Sequence, residues 1–150
     1  MKRFLSIILV LFLFSSCRGE EPPSSRIFSG SFSFNFEYRK GDINIKGYIE
    51  RVGEEYTASF FYPESLSNLK MKYKNGEASV LGGSSIVFDG GKSSLTGSVI
   101  SVICRAIEES VRGNSLSGET GEFKIKLQNS LPSEIEYKDF KIIISEFERK

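Results

Sequence analysis

The sequence predicts a mainly β domain: a curved antiparallel sheet, or half-barrel, of about eight strands closed by one helix. Three observations predict it. Apolar and polar residues alternate with period two over most of residues 28–147. Turn residues interrupt that alternation at short intervals. Only one segment of that region, near residues 98–113, switches to helical spacing.

The first strand carries Phe28, Gly30, Phe32, Phe34, Phe36 and Tyr38 on one parity. Ser29, Ser31, Ser33, Asn35, Glu37 and Arg39 take the other, so the aromatics share a face. Arg39-Lys40-Gly41-Asp42 is a turn. Ile43, Ile45, Gly47 and Ile49 then alternate with Asn44, Lys46, Tyr48 and Glu50. The two runs read as a hairpin with one apolar and one wet face. Gly53-Glu54 turns the chain into a third strand, with Tyr56, Ala58, Phe60 and Tyr62 on one side. Pro63 stops it, because proline cannot donate to a ladder.

Leu69, Met71 and Tyr73 alternate with Lys70, Lys72 and Lys74, and Asn75-Gly76 is a two-residue hairpin signal. Residues 78–81 return, Gly82-Gly83 interrupts, and Ile86-Val87-Phe88 is a short strand ended by Asp89-Gly90-Gly91. Val99, Val102, Ile103, Ala106, Ile107 and Val111 then form a helical stripe opposite Arg105, Glu108, Glu109 and Arg112. Ser98 suits the N-cap, and Gly113 or Asn114 the C-cap. Phe123, Ile125 and Leu127 resume a strand. Leu131-Pro132-Ser133-Glu134 reads as a corner, Ile135 and Tyr137 as a short strand, and Lys138-Asp139 as a turn. Phe140, Ile142 and Ile144 run out to Phe147. Sequential strands joined by short turns make an antiparallel meander.

The apolar faces must be covered. One buried Phe contributes about 1.5–3 kcal/mol, so wetting the first strand's face would cost several times that. One helix cannot shield about eight strands laid flat. The sheet must therefore curl onto itself, with the helix lidding the opening. Gly30 and Gly47 lie within the apolar faces and suit curvature or close approach.

The N-terminus has a different character. Lys2 and Arg3 precede an apolar run, residues 4–14, broken only by Ser6. That is the length of a signal-peptide core and too short to span a bilayer. The run closes on Phe14-Ser15-Ser16-Cys17, which resembles the lipobox of bacterial lipoproteins, with Phe14 where Leu is usual. The resemblance implies a diacylglyceryl group on Cys17, cleavage just before it, and anchorage on the extracytoplasmic face of a cell membrane. The expected organisation is a signal peptide over 1–16, then lipidated Cys17 and a flexible tether over 17–26. A single domain over 27–150 follows. An ordinary secretory signal with an incidental Cys17 is the alternative.

Composition narrows the function. Loss of Lys2 and Arg3 takes the formal charge from +1 to −1, which gives no electrostatic case for nucleic acid. The chain has no histidine, which excludes Ser-His-Asp and Cys-His catalysis and His-based zinc sites. Cys104, set among Val99, Ile100, Val102, Ile103 and Ile107, reads as a small buried hydrophobe. Glu108-Glu109 on the helix and Glu54-Glu55 at a turn read as solvated acids, and neighbours on a helix do not face each other, so Glu108-Glu109 is a poor acid/base pair. The Lys70, Lys72 and Lys74 row reads as a wet face or edge protection, or as a contact for anionic headgroups. The Gly-rich stretches lack the phosphate-loop pattern, and the acidic residues lack calcium-loop spacing. No cofactor or metal is implied.

The order of elements carries a second resemblance. A hairpin precedes the Tyr-x-Ala-x-Phe-x-Tyr-Pro strand and Pro-Glu-Ser-Leu corner at residues 56–66. The Lys-Asn-Gly-Glu hairpin at 74–77, a late helix, Leu-Pro-Ser-Glu-Ile at 131–135 and Tyr-x-Asp-Phe-x-Ile-x-Ile at 137–144 follow. This order is similar to that of the LolA-type lipoprotein carriers and their anchored relatives, which are longer and more helical. The resemblance implies a curved sheet around a hydrophobic cavity that holds acyl chains. Phe32, Phe34, Phe36, Ile45, Ile49, Tyr56, Phe60, Met71 and Ile103 are the expected lining. The expected function is binding an acyl lipid or other apolar ligand, in lipid or lipoprotein handling. The rival is an anchored interaction module with a filled core, docking a protein partner of unknown identity. Nothing points to an enzyme, and no covalent chemistry is implied beyond lipidation of Cys17.

Overall fold

The computed structural model describes residues 24–81, 87–88, 95–118, 121–138 and 140–150, with only the backbone at 87–88. The expected signal peptide, Cys17 and most of the tether lie outside the described residues.

The described residues open with a single helical turn, α1 (Ser24–Ile27). Strands β1 (Phe32–Lys40), β2 (Ile43–Val52) and β3 (Glu55–Tyr62) follow, then a 3-10 turn (Glu64–Leu66). Next come β4 (Lys70–Lys74), β5 (Glu77–Val80) and the two-residue β6 (Val87–Phe88). Helix α2 (Leu95–Gly113) precedes β7 (Phe123–Gln128), β8 (Leu131–Tyr137) and β9 (Phe140–Arg149). The strands form one antiparallel sheet of nine in the order β6-β5-β4-β3-β2-β1-β9-β8-β7. Two meanders therefore join where β1 pairs with β9. The sheet is open, with β6 and β7 at its edges, so this is a half-barrel.

Curvature follows from the core. Ala78 on β5 and Ile125 on β7 belong to one buried cluster around α2. The edge strands of nine laid flat would lie about 38 Å apart, too far for one helix to serve both wings. Three bulges assist the bend: Lys46/Gly47 in the β2–β3 pair, Ser33/Asn35 in β1–β9 and Lys126/Leu127 in β7–β8. Helix α2 touches β4 and β5 on one wing and β7 on the other. Its inward stripe buries Val99, Ile100, Ile103, Cys104, Ala106 and Ile107.

Several boundaries differ from expectation, each for a physical reason. Ser24 to Arg26 are folded, not tether: the Ser24 hydroxyl donates to the Ser110 carbonyl at 2.6 Å, and Ser25 donates to Asn114 Oδ1 at 2.8 Å. Gly30 has φ +71° and sits in the turn before β1, so the first strand starts at Phe32. Helix α2 begins at Leu95, which puts Ser98 inside it, because Thr96 and Gly97 are themselves buried. Its other end matches expectation. Asn114 adopts φ +49°, and Ser115 N–H donates back to the Ser110 carbonyl, the hydrogen-bond pattern of a Schellman stop.

Leu131-Pro132-Ser133-Glu134 is not a corner but the start of β8, where Pro132 pairs with Leu127 and Ser133 is the bulged residue. The turn lies just before it, at Asn129 (φ 52°) and Ser130 (φ 63°), the two positive dihedrals of a type I′ hairpin. The lysine row is not at an edge either, since β4 lies between β3 and β5. Lys72 pairs with Glu55 at 2.6 Å on the outer face.

Candidate functional site

The nine residues expected to line a cavity do converge, all in one cluster under α2. Their exposure is 3 % or less at every position, and zero at Phe32, Phe34, Ile49, Met71 and Ile103. A side chain bordering a void wide enough for water retains accessible surface. Phe32, Phe34, Ile49, Met71 and Ile103 instead face packed protein, not the hollow expected at this place, whereas Ile45 and Tyr56 reach open recesses. Ring contacts account for much of the filling. Phe28, Phe32, Phe34 and Phe147 stack, tilt or meet edge-on at 5.4–6.1 Å between centroids, and Phe36 meets Phe60 edge-on at 5.9 Å. Cys104 is fully buried in the same layer, and desolvation pushes its thiol well up, which disfavours the thiolate.

Open recesses lie instead at the two ends of α2. At its N-terminal end is a groove of about 390 Å³ between the start of β2, the end of β3 and the first helical turn. Ile43, Ile45, Tyr62, Pro63, Leu66 and Leu95 line it, with Asp42, Asn44, Ser65 and Thr96 among the polar members. Ile43, Tyr62 and Leu95 are large apolar residues left 43, 48 and 41 % exposed. Of the nine expected residues only Ile45 borders this groove. Three chain segments far apart in sequence build it, so no local motif announced it.

At the C-terminal end is a polar cleft of about 620 Å³. Its floor is set by strand register. Arg51 pairs with Tyr56 across β2–β3 and with Phe32 across β1–β2, and its guanidinium lies 5.5 and 5.6 Å from those ring centres. Arg51 Nη1 donates to the Phe28 carbonyl at 2.9 Å. Tyr56 faces Tyr73 across β3–β4, edge-on at 5.8 Å. Tyr73 and Glu108 both line the cleft. Burial is the largest influence on Glu108 and holds it above the usual carboxylate range, against the pull of Arg51, Arg112 and Tyr73. Burial likewise raises the Tyr56 and Tyr73 phenols far above their ordinary range. Glu108 is therefore half-buried in a cleft, not the solvated acid its neighbour suggested. Glu54 lines the same cleft, while Glu55 turns outward to Lys72.

The sequence did hold a signal for this end. Arg51 continues the parity of Ile45, Gly47 and Ile49, so period two already puts a guanidinium on the apolar face. Among the described residues, no group of three or more Cys, Asp or Glu side chains is placed to hold a metal ion, and no helix is long and apolar enough to cross a membrane. Compared with known proteins, the chain matches no family model and no curated sequence at a significant level.

Proposed function

We propose that this chain is a lipoprotein anchored through Cys17 on the extracytoplasmic face of a membrane, and that its domain binds an acyl chain or similar apolar molecule. The open groove beside Leu95, not the filled interior, is the binding place. One observation carries this reading: Ile43, Tyr62 and Leu95 stay exposed around a recess of about 390 Å³, within the roughly 300–1,000 Å³ usual for small-ligand sites. Burying apolar ligand surface there yields about 25 cal/mol per Å². The groove lies at the opposite end of α2 from Ser24, where the chain arrives from Cys17. A ligand there would face away from the anchor, a position suited to handing it on.

The test is titration of the full chain with a fluorescent fatty acid. Leu95→Glu and Ile43→Glu should each weaken binding at least tenfold, while Phe61→Glu, an exposed apolar control, should not. Unchanged affinity in both groove variants refutes the site. The filled core favours a second reading, an interaction module without ligand. It gains if the chain binds no probe and releases no lipid on organic extraction. The anchor is tested separately: Cys17→Ser should abolish labelling by a fatty-acid analogue, and persistent labelling refutes the lipobox.

A further inference from the structure

We propose that the cleft at the C-terminal end of α2 is a second site, which binds the oxyanion of a small molecule, phosphate or carboxylate, through the Tyr56 hydroxyl and Arg51 Nε.

Two buried groups there have no hydrogen-bond partner: Tyr56 Oη and Arg51 Nε. Tyr56 is 1 % exposed, yet its side chain borders the cleft. Native proteins seldom leave such groups unmatched, and two in one recess call for a common explanation. Both can donate, and Arg51 Nε can only donate, so the matching group is an acceptor. Arg51 is not free to turn away. Its Nη1 is committed to the Phe28 carbonyl, and its guanidinium is held over the Phe32 and Tyr56 rings. A fixed cation with a spare N–H is the usual partner of a carboxylate or phosphate oxygen. Arg112 adds positive charge at the rim.

The oxyanion has two possible sources. Residues 17–24 can span at most about 25 Å. If Cys17 carries lipid, Ser24 and the end of α2 that it binds stay near the headgroups. A lipid phosphodiester and a free anion are therefore both within reach. This site does not depend on the apolar groove, which lies at the other end of the helix.

Calorimetric titration of the full chain in detergent with inorganic phosphate, and separately with acetate, tests the proposal. One saturable site for either anion is expected. Tyr56→Phe should weaken it at least tenfold while leaving the thermal midpoint unchanged or higher, and Arg51→Lys should weaken it comparably. Vesicles containing phosphatidylglycerol that displace the anion identify a headgroup site, and failure to displace identifies a free anion; both support the cleft. No saturable binding of either anion, or equal binding by Tyr56→Phe, overturns it. A lower thermal midpoint in Tyr56→Phe also overturns it, because the hydroxyl would then be satisfied within the protein.

Discussion

Replacing Ile103 by alanine distinguishes a packed interior from a hollow one. Ile103 is completely buried on the inward stripe of α2, within the cluster that contains the sheet's aromatics. The substitution deletes three methyl or methylene groups, worth about 0.8 kcal/mol each, or about 2.4 kcal/mol of lost transfer energy. A packed surround relaxes only partly, and the space left behind brings the expected total to about 2–5 kcal/mol. With a urea slope of about 1–3 kcal/mol per M, a loss of 3 kcal/mol lowers the unfolding midpoint by about 1–3 M. Equilibrium unfolding followed by circular dichroism reads this directly, with the slope compared between wild type and variant. A loss below about 1 kcal/mol at unchanged slope would mean that Ile103 borders empty space, and the case for a filled core would fail.

Two other substitutions probe separate features. Gly47→Ala should destabilise by about 1–3 kcal/mol or more, because a Cβ there would lie 2.6 Å from both the Phe36 ring and the Ser59 carbonyl. Phe36→Leu in the same chain should relieve the ring clash but not the backbone one, and full recovery in a double-mutant cycle would refute the second. Glu108→Gln should stabilise the protein at neutral pH and have little effect below about pH 4. Burial raises this carboxyl, so the folded protein holds its proton to higher pH than the unfolded chain does. Stability therefore falls as pH rises past the ordinary value of 4.5. Denaturation midpoints across pH 3–8 check this, and a gain that is constant with pH would refute it.

Regular strands were legible because period two survives in any sequence with one dry face. Phe32, Phe34, Phe36, Tyr38, Ile45 and Ile49 all face inward as their parity requires. Bulges were not legible, because each one resets parity. Ile142 and Ile144 point inward, but Phe147 reaches the same core only because Glu146, at φ 52°, adds a residue opposite Phe34. The Leu131–Glu134 misreading has the same origin, since a proline and a bulge inside a strand look like a corner. The interior was read from the count of apolar faces, which fixes that they must meet but not whether space remains between them. Ring size decides that, and four phenylalanines at one junction leave little. The groove escaped notice because Ile43, Tyr62 and Leu95 each end a different element.

The fastening of Ser24 and Ser25 to the last turn of α2 has a mechanical consequence. Tension applied to the chain ahead of Ser24 is felt first by the helix that seals the core, before any strand of the sheet. It loads the seal at its Asn114 end, the end that overhangs the polar cleft.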